Sequence, residues 1–380
     1  MPIRHAIASF ARAPLRCQAL RFALAALLSL PTLGQVHAQD GIKIGASAPM
    51  SEYFAVLGEE IEAGARAAIE NGFATLTMFD DACEAEGGAK TADAMIAAGV
   101  DIAIGYPCIE AFDAAMPKLA EANIPLILLG VQSEAIAADR SKGNWPVLRL
   151  APKASDEADA LATYMKRVWR DAHFAIIDDG TLYGRQLAEA VRFRLEEDNL
   201  RPVFTDTYRP QLDNQIALVR RLQKAGATHV FMGGDAYDAA VIGADAASIG
   251  IDLTLAGGSA FVAPPADGGL ADGTVFAALP EWPAADRILS DPASGRKVEA
   301  IGDGYLVPSR AAVEIALQGV AGGGSGVFFG DFLGRTFETS LGPISFDGNG
   351  DLTRNLFEIF VIRNGEPVPA TATGDTGSIQ

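Results

Sequence analysis

The feature that most constrains the fold is a regular alternation of short apolar, β-branched runs with longer alanine-rich amphipathic stretches. Strands that alternate with helices predict parallel sheets covered by helices on both faces. The strand-like runs are almost continuously apolar, as parallel strands buried on both faces are. They occupy residues 42–46, 76–80, 102–105, 124–129, 147–150, 174–177, 203–207, 229–232, 253–256 and 274–278.

The C-terminal part departs from this rhythm. Residues 343–346 and 356–363 are strand-like, and Asn364-Gly365 is a turn sequence typical of a β-hairpin. The whole chain has 380 residues, a length that favours two domains of ordinary size over one. We therefore predict an α/β protein of two domains, with antiparallel strands only near its C-terminus.

The acidic composition argues against two classes of partner. The formal net charge is −18, from 48 acidic and 30 basic residues. Nucleic-acid binding needs clusters of Lys and Arg that neutralise phosphates, and no such cluster follows the N-terminal segment. The same charge disfavours attraction to anionic lipid surfaces. We expect no nucleic-acid partner and no direct membrane insertion of the mature chain.

The N-terminal segment has the pattern of a secretory signal. Four arginines and no acidic residue precede Asp40, and an apolar run at residues 22–30 is followed by Val36-His37-Ala38. A basic start, a short apolar run and a small-residue cleavage site characterise such signals. We predict that export to the periplasm removes residues 1–38, so that losing four arginines takes the charge from −18 to −22. An uncleaved membrane anchor is the alternative.

Cys83 and Cys108 are the two cysteines that remain once Cys17 has left with the signal. An even pair in an exported chain predicts a disulfide. Metal binding is the alternative, but zinc sites cluster Cys with His. Beyond the signal only His173 and His229 occur, both in strand-like runs. We expect neither a metal site nor a cofactor.

The sequence lacks the motifs of common catalytic and nucleotide-binding sites. The turn after the first strand has neither G-x-G-x-x-G nor a phosphate-binding loop, and no G-x-S-x-G elbow occurs. Residues 347–358 open like a calcium loop, but Leu352 stands where that loop requires Gly. A β-turn explains the same residues. We therefore do not expect an enzyme.

Four stretches, spread over nearly the whole mature chain, carry a recognisable pattern. The most specific one is a pair of acidic residues before Cys83, followed 25 residues later by Cys108. The four stretches are residues 42–58, 80–108, 176–184 and 342–351. On these grounds the chain resembles the periplasmic solute-binding proteins of branched-chain amino-acid ABC transporters, the leucine/isoleucine/valine-binding family.

The resemblance implies a type I periplasmic-binding-protein fold, in which three crossover hinge strands join two α/β lobes. Each lobe has a mostly parallel sheet flanked by helices, and Cys83 and Cys108 would end neighbouring strands of lobe one. Lobe one would comprise residues 39–150 with 281–341, and lobe two residues 151–280 with 342–380. Ligands of such sheets bind beyond the carboxyl ends of the strands, and the lobes close around them by a hinge motion.

The resemblance places five candidate ligand-binding residues in lobe one. Ile109 stands where leucine-binding relatives have a Ser that holds the ligand carboxylate. Gln132, beside Gly130, stands where they have a Thr, and it could bind a carboxylate or an amide. Tyr305 keeps the aromatic character of its position. Leu57, directly before the first predicted helix, completes the predicted set in this lobe.

Three further candidates fall in lobe two. Tyr183 keeps an aromatic position, whereas Ser259 replaces the acidic residue that usually takes the ligand ammonium group. An ammonium group buried without an acidic or carbonyl partner would cost several kcal/mol. Asp235, where relatives have a Tyr, is therefore predicted to supply the negative charge. Glu52, Glu110 and Asp179 are alternatives for that role.

The resemblance implies a periplasmic protein that captures a small amino acid, of the branched-chain type or similar. Its partners would be the ligand and an ABC permease and ATPase complex in the inner membrane. One alternative is the same fold with an aromatic or aliphatic carboxylate, or an amide, as its ligand, which the residues at Ile109 and Ser259 motivate. Another is a periplasmic ligand sensor, because transport and sensing both use closure of the lobes.

Overall fold

The computed structural model of the protein describes residues 41–69, 74–263, 269–279, 304–320 and 327–370. The predicted signal, residues 1–38, lies outside the described residues. The part of the chain from Gly41 onward forms a single unit.

The first sheet is made of the first five strands, all parallel. They are β1 (Ile42–Ala48), β2 (Ala74–Asp80), β3 (Ile102–Gly105), β4 (Leu126–Leu128) and β5 (Val147–Arg149). Their order in the sheet is β2-β1-β3-β4-β5. Helices follow the first four strands in turn: α1 (Ala55–Ala67), α2 (Ala85–Ala98), α3 (Ile109–Glu121) and α4 (Ala135–Gly143).

The second sheet repeats this arrangement with five more parallel strands. They are β6 (Phe174–Asp178), β7 (Phe204–Thr207), β8 (His229–Gly233), β9 (Thr254–Gly257) and β10 (Val275–Ala278). The helices of this part are α5 (Ala154–Val168), α6 (Leu182–Glu197), α7 (Ile216–Ala225) and α8 (Ala236–Ser248). The helix α9 (Leu306–Val320) follows later in the chain.

The antiparallel strands lie near the C-terminus. β11 (Thr336–Thr339) and β12 (Gly342–Ser345) form a separate two-stranded sheet, and β13 (Glu358–Arg363) and β14 (Glu366–Pro369) extend the second sheet. The order of that sheet is β14-β13-β10-β9-β8-β6-β7. Asn364 and Gly365 join β13 to β14 with φ angles of 53° and 79°, so the predicted hairpin turn is confirmed.

Helices cover both faces of each sheet. On one face of the first sheet, Ile61 of α1 and Ile315 of α9 belong to a shared core, and on the other face Phe112 of α3 is buried. The second sheet is enclosed in the same way, by Ile242 of α8 on one face and Val191 of α6 on the other. Burial on both faces explains why the parallel strands are almost continuously apolar.

The chain passes between the two sheets three times. The first passage, residues 150–153, leaves the first sheet after β5, and the second leaves the other sheet after β10. The third starts at β12, which packs on the core of the first sheet, and reaches β13 through residues 346–357. The predicted α/β fold, with two mostly parallel sheets and three crossover segments, is therefore confirmed. Part of the second passage, residues 280–303, lies outside the described residues.

The division of the chain into lobes stays a proposal. Residues 342–380 were expected in lobe two, and β13 does pair with β10 of the second sheet. Ile344 and Phe346, however, are buried in the core of the first sheet, together with Leu356. We propose that lobe one continues past residue 341 and that the chain enters lobe two just before β13.

Two buried arginines bind one carboxylate beside the first and third passages. Arg149, at the end of β5, donates from Nε to Oδ1 of Asp351 at 2.9 Å, and Nη2 of Arg140 lies 3.2 Å from the same oxygen. A backbone hydrogen bond joins the same two segments: the Arg149 amide donates to the carbonyl of Gly350 at 2.8 Å. All three charged side chains are at least nine-tenths buried. The Asp351 carboxylate therefore neutralises guanidinium charge that is largely shielded from water.

We predict that Asp351→Asn lowers the free energy of unfolding by about 3–5 kcal/mol, because it leaves two buried guanidinium groups without a negative partner. Denaturant titration would measure the change. Asp93→Asn provides the control: it breaks an exposed ion pair with Lys118 and should cost at most about 1 kcal/mol. Equal losses in the two variants would show that burial does not strengthen the Asp351 interactions.

Candidate functional site

All the predicted site residues except Tyr305, which directly precedes α9, lie beyond the carboxyl ends of parallel strands. Leu57, Ile109 and the pair Gly130 and Gln132 follow β1, β3 and β4 of the first sheet. In the second sheet, Tyr183, Asp235 and Ser259 follow β6, β8 and β9. The first two passages between the sheets also leave from these edges, so the carboxyl edges of both sheets adjoin the crossover segments. This is where an open α/β sheet binds its ligand.

Three of the predicted residues line one small cavity beside the crossover segments. Gly130, Gln132 and Tyr305 surround about 80 Å³ of space together with Leu150 and Leu279, which belong to the first and second passages. The cavity therefore lies where the two sheets are connected. Ligand contact by Gly130, Gln132 and Tyr305 stays a prediction.

Close packing at Gly130 explains why this position has no side chain. A Cβ atom there would lie 2.4 Å from the carbonyl oxygen of Pro107 and 2.7 Å from the hydroxyl of Tyr305. Tyr305 is itself held by its backbone amide, which donates to Oε2 of the buried Glu60 at 2.8 Å. Gly130 thus lets the segment after β4 approach both the segment after β3 and the start of α9.

The predicted disulfide between Cys83 and Cys108 is confirmed, with the two Cα atoms 5.2 Å apart. It joins the segments that follow β2 and β3, which are separated in the sheet by β1. The expectation that the two cysteines end neighbouring strands is therefore wrong. On the chain-entropy model, closing a loop of this length contributes about 3.5 kcal/mol. Ile109 comes directly after it, begins α3 and is 42% exposed. Because Cys108 gives α3 no side-chain cap, N–H groups of the first turn remain available to a ligand carboxylate.

A buried polar network supports the strand ends beneath the disulfide. Ser47 donates to Oδ2 of Asp81 at 2.7 Å, and the amide of Cys83 donates to Oδ1 of the same carboxylate at 3.0 Å. The hydroxyls of Thr91 and Tyr106 lie 3.0 Å apart. Burial raises the pKa of Asp81, and it raises the pKa of Tyr106 to about 12. The network fixes the loop that carries the disulfide.

In the second sheet, the structure brings Tyr183 and Ser259 together around Glu157, a residue of α5. The hydroxyl of Tyr183 donates to Oε1 of Glu157 at 2.8 Å, and the amide of Ser259 donates to the same oxygen at 2.5 Å. The hydroxyls of Tyr183 and Ser259 are 3.5 Å apart. Burial raises the pKa of Tyr183, and the negative charge of Glu157 raises it further.

Gly258 makes this cluster possible. A Cβ atom at Gly258 would lie 2.4 Å from the hydroxyl of Tyr183 and 2.5 Å from Oε1 of Glu157. A larger residue would therefore displace either the tyrosine or the carboxylate. Tyr183 and Ser259 were predicted from the sequence as site residues, whereas Glu157 was not. In the sequence, Glu157 is only an acidic residue in the first turn of a helix. This is a common structural feature, so it does not indicate a binding role.

Asp235 is the N-cap of α8. Its Oδ1 accepts the backbone amide of Asp238 at 2.9 Å, and its Oδ2 accepts Nε2 of Gln211 at 3.1 Å. Both carboxylate oxygens therefore have a partner within the protein. A ligand contact by Asp235 stays a prediction, and such a ligand would have to share or displace Gln211.

Tyr208 directly follows β7 and is 4% exposed. Burial raises its pKa, and the negative charges of Asp238, Asp179 and Asp235 raise it further. A Cβ atom at Gly234 would lie 2.2 Å from the Tyr208 hydroxyl. This tyrosine thus packs beneath the edge and supports the turn that leads into α8.

Apolar side chains are exposed on both carboxyl edges. Tyr53, between β1 and α1, is 89% exposed, and Leu182, at the start of α6, is 68% exposed. Ile109 and Val262 are partly exposed on the first and second edges. Apolar groups next to the uncapped starts of α1 and α3 on one edge, and next to a carboxylate on the other, suit a small amphipathic ligand.

The described residues form neither a metal-binding cluster nor a membrane-spanning helix. Within those ranges, no group of three or more His, Cys, Asp or Glu side chains could hold a metal ion. No helix there is long and apolar enough to cross a membrane.

Comparison with known proteins gives consistent matches. Residues 41–321 match the family described as periplasmic binding protein. Leu/Ile/Val-binding protein homolog 3 of Brucella melitensis biotype 1 is 25% identical over 350 residues, which cover 86% of this chain and 93% of that relative. The leucine-, isoleucine-, valine-, threonine-, and alanine-binding protein of Pseudomonas aeruginosa is 24% identical over 341 residues, covering 85% and 90%.

The fold also matches that of a solved structure, an ABC transporter substrate-binding protein from Desulfitobacterium hafniense. The TM-score is 0.64 at 19% sequence identity, and the alignment covers 87% of this chain and 99% of the other. At this identity the match speaks for the fold and not for the ligand.

The capping role of Asp235 generates a stability prediction. Asp235→Ala should lower the free energy of unfolding by about 1 kcal/mol, because the amide of Asp238 loses its acceptor. Asp235→Asn should lower it less, since Asn caps helices as well as Asp does. Urea titration of both variants would measure the difference. Equal losses would contradict the capping role.

Proposed function

Because the chain belongs to the periplasmic binding protein family, we propose that it captures a small amino acid between its two lobes and delivers it to an ABC importer. The ligand is an amino acid of the branched-chain type or a similar one. The single observation that carries this proposal is that the carboxyl edges of two mostly parallel sheets adjoin the crossover segments, and that these edges carry all the predicted site residues except Tyr305.

The chemistry of the two edges suits such a ligand. The first turn of α3 offers N–H groups to a carboxylate, beside Ile109. Exposed apolar residues such as Tyr53 and Leu182 can cover an aliphatic side chain. The names of the two relatives favour the same class of ligand: one is a Leu/Ile/Val-binding protein homolog, and the other is a leucine-, isoleucine-, valine-, threonine-, and alanine-binding protein.

Delivery follows from closure of the lobes. Three crossover segments allow one lobe to rotate towards the other, and a ligand that contacts both edges stabilises the closed arrangement. A permease that recognises the closed arrangement then receives only loaded protein. The proposed partners are an ABC permease and its ATPase in the inner membrane. The proposed location is the periplasm, after cleavage of the signal at residues 1–38.

We expect leucine, isoleucine or valine to raise the melting temperature of the purified protein, after unfolding and refolding to remove any ligand it carries. A ligand that binds only the folded state, present at about 100 times its Kd, adds about 2.7 kcal/mol to the free energy of unfolding. A thermal-shift screen against all amino acids would measure the shift. The des-amino acids of the same carbon skeleton, such as 4-methylpentanoate, serve as controls.

Other results of the screen would support the alternatives. A rise in melting temperature with aromatic or aliphatic carboxylates or amides, but with no amino acid, would contradict the proposed ligand. It would agree with the presence of Ile109 where leucine-binding relatives have a Ser. Transport is tested separately from sensing by uptake of the radiolabelled ligand into cells with and without the gene. Unchanged uptake, combined with tight binding, would favour a sensor.

A further inference from the structure

Glu157 is a buried carboxylate without a positively charged partner among the described residues. It is 7% exposed and lies in the first turn of α5, one turn beyond the first passage between the sheets. Throughout the described ranges, no Lys or Arg nitrogen lies within 4 Å of it. A buried negative charge is costly unless a cation or several hydrogen-bond donors compensate it. The fold therefore holds a charge at the carboxyl edge that its own described cations do not balance.

Only one of the two carboxylate oxygens is used by the described part of the protein. Oε1 accepts both hydrogen bonds, from the hydroxyl of Tyr183 at 2.8 Å and from the amide of Ser259 at 2.5 Å. Oε2 accepts none from the residues that the structure describes, and it is not among the side-chain atoms sealed from solvent. The carboxylate is thus fixed by one oxygen, and the other can reach a group outside the protein.

We propose that Oε2 of Glu157 accepts a hydrogen bond from the ammonium group of the bound amino acid. This inference rests on the proposed function and names the residue that selects for an amine. Tyr183 and Ser259 act as positioning residues, because they hold the carboxylate in place before the ligand arrives. A preorganised acceptor of this kind favours ligands that carry a cationic nitrogen over carboxylates that lack one.

The other acidic residues at this edge are less suited to the role. Both oxygens of Asp235 already have partners, as described above. Asp238 is completely buried, and its second oxygen is sealed from solvent. Asp179 is only partly buried and accepts the amide and hydroxyl of Thr181 through Oδ1. Water screens a charge in that position, so it discriminates weakly between ligands.

Glu157→Gln tests the proposal with little change of shape. The amide oxygen of the new side chain can accept the hydrogen bonds of Tyr183 and Ser259, whereas its NH₂ group would face the ligand as a donor. The variant should bind L-leucine, L-isoleucine and L-valine at least ten times more weakly than the wild type, because the ammonium group loses its negative partner. Binding of 4-methylpentanoate, which lacks the amine, should stay the same or become tighter. Isothermal titration calorimetry would measure both affinities.

Glu189→Gln is the matched control, because it removes the same charge from an exposed position of α6 in the same lobe. It should bind every ligand as the wild type does. Circular dichroism and the melting temperature check that each variant is folded. If Glu157→Gln does not fold, Glu157→Asp replaces it: the charge remains but is withdrawn by one methylene, so amino-acid affinity should fall while 4-methylpentanoate is unaffected.

The outcomes separate this inference from the proposed function. If the wild type binds leucine and Glu157→Gln binds it equally well, the role of Glu157 is overturned and the proposed function stands. A parallel loss for leucine and 4-methylpentanoate would also overturn it, because the variant would then have damaged the site as a whole. If the wild type binds no amino acid, both fail.

Discussion

The interaction on which the arrangement of the two sheets depends is the buried group of Arg149, Arg140 and Asp351. It joins the last strand of the first sheet to the third passage of the chain, 202 residues later in the sequence. A backbone hydrogen bond from Arg149 to Gly350 accompanies it. Because the first passage starts immediately after Arg149, two of the three crossover segments leave from one rigid point. Any rotation of the lobes then takes place in the short segments beyond it.

The position of the candidate site follows from this connectivity. Parallel strands leave a sheet at the carboxyl edge, and the segments after them carry helix starts, glycine turns and exposed side chains. The first edge is held by the disulfide of Cys83 and Cys108 and by the network beneath it. The second is held by the contacts of Glu157 with Tyr183 and Ser259. Both edges are therefore ordered locally, while the lobes can still move as bodies.

Much of the fold was readable from the sequence, because its signals are local or periodic. Alternating strands and helices predicted two mostly parallel sheets, and Asn364-Gly365 predicted the C-terminal hairpin. The paired cysteines predicted the disulfide, and the family resemblance is confirmed by the match over residues 41–321. The lobe to which residues 342–356 belong was harder to predict. Ile344 and Phe346 are part of an ordinary apolar pattern, which does not indicate the core in which they are buried.

The candidate site was only partly readable, for a physical reason. A sequence position indicates which strand end a residue follows, but not which side chains meet there. Ser259 looked like the loss of an acidic residue, because the carboxylate beside it comes from Glu157, 102 residues earlier. The charge near a binding site depends on every side chain that packs there. A residue from another helix can therefore supply a negative charge that the aligned position lacks. This arrangement requires glycine at position 258, because a Cβ atom there would clash with the Tyr183 hydroxyl and with Oε1 of Glu157.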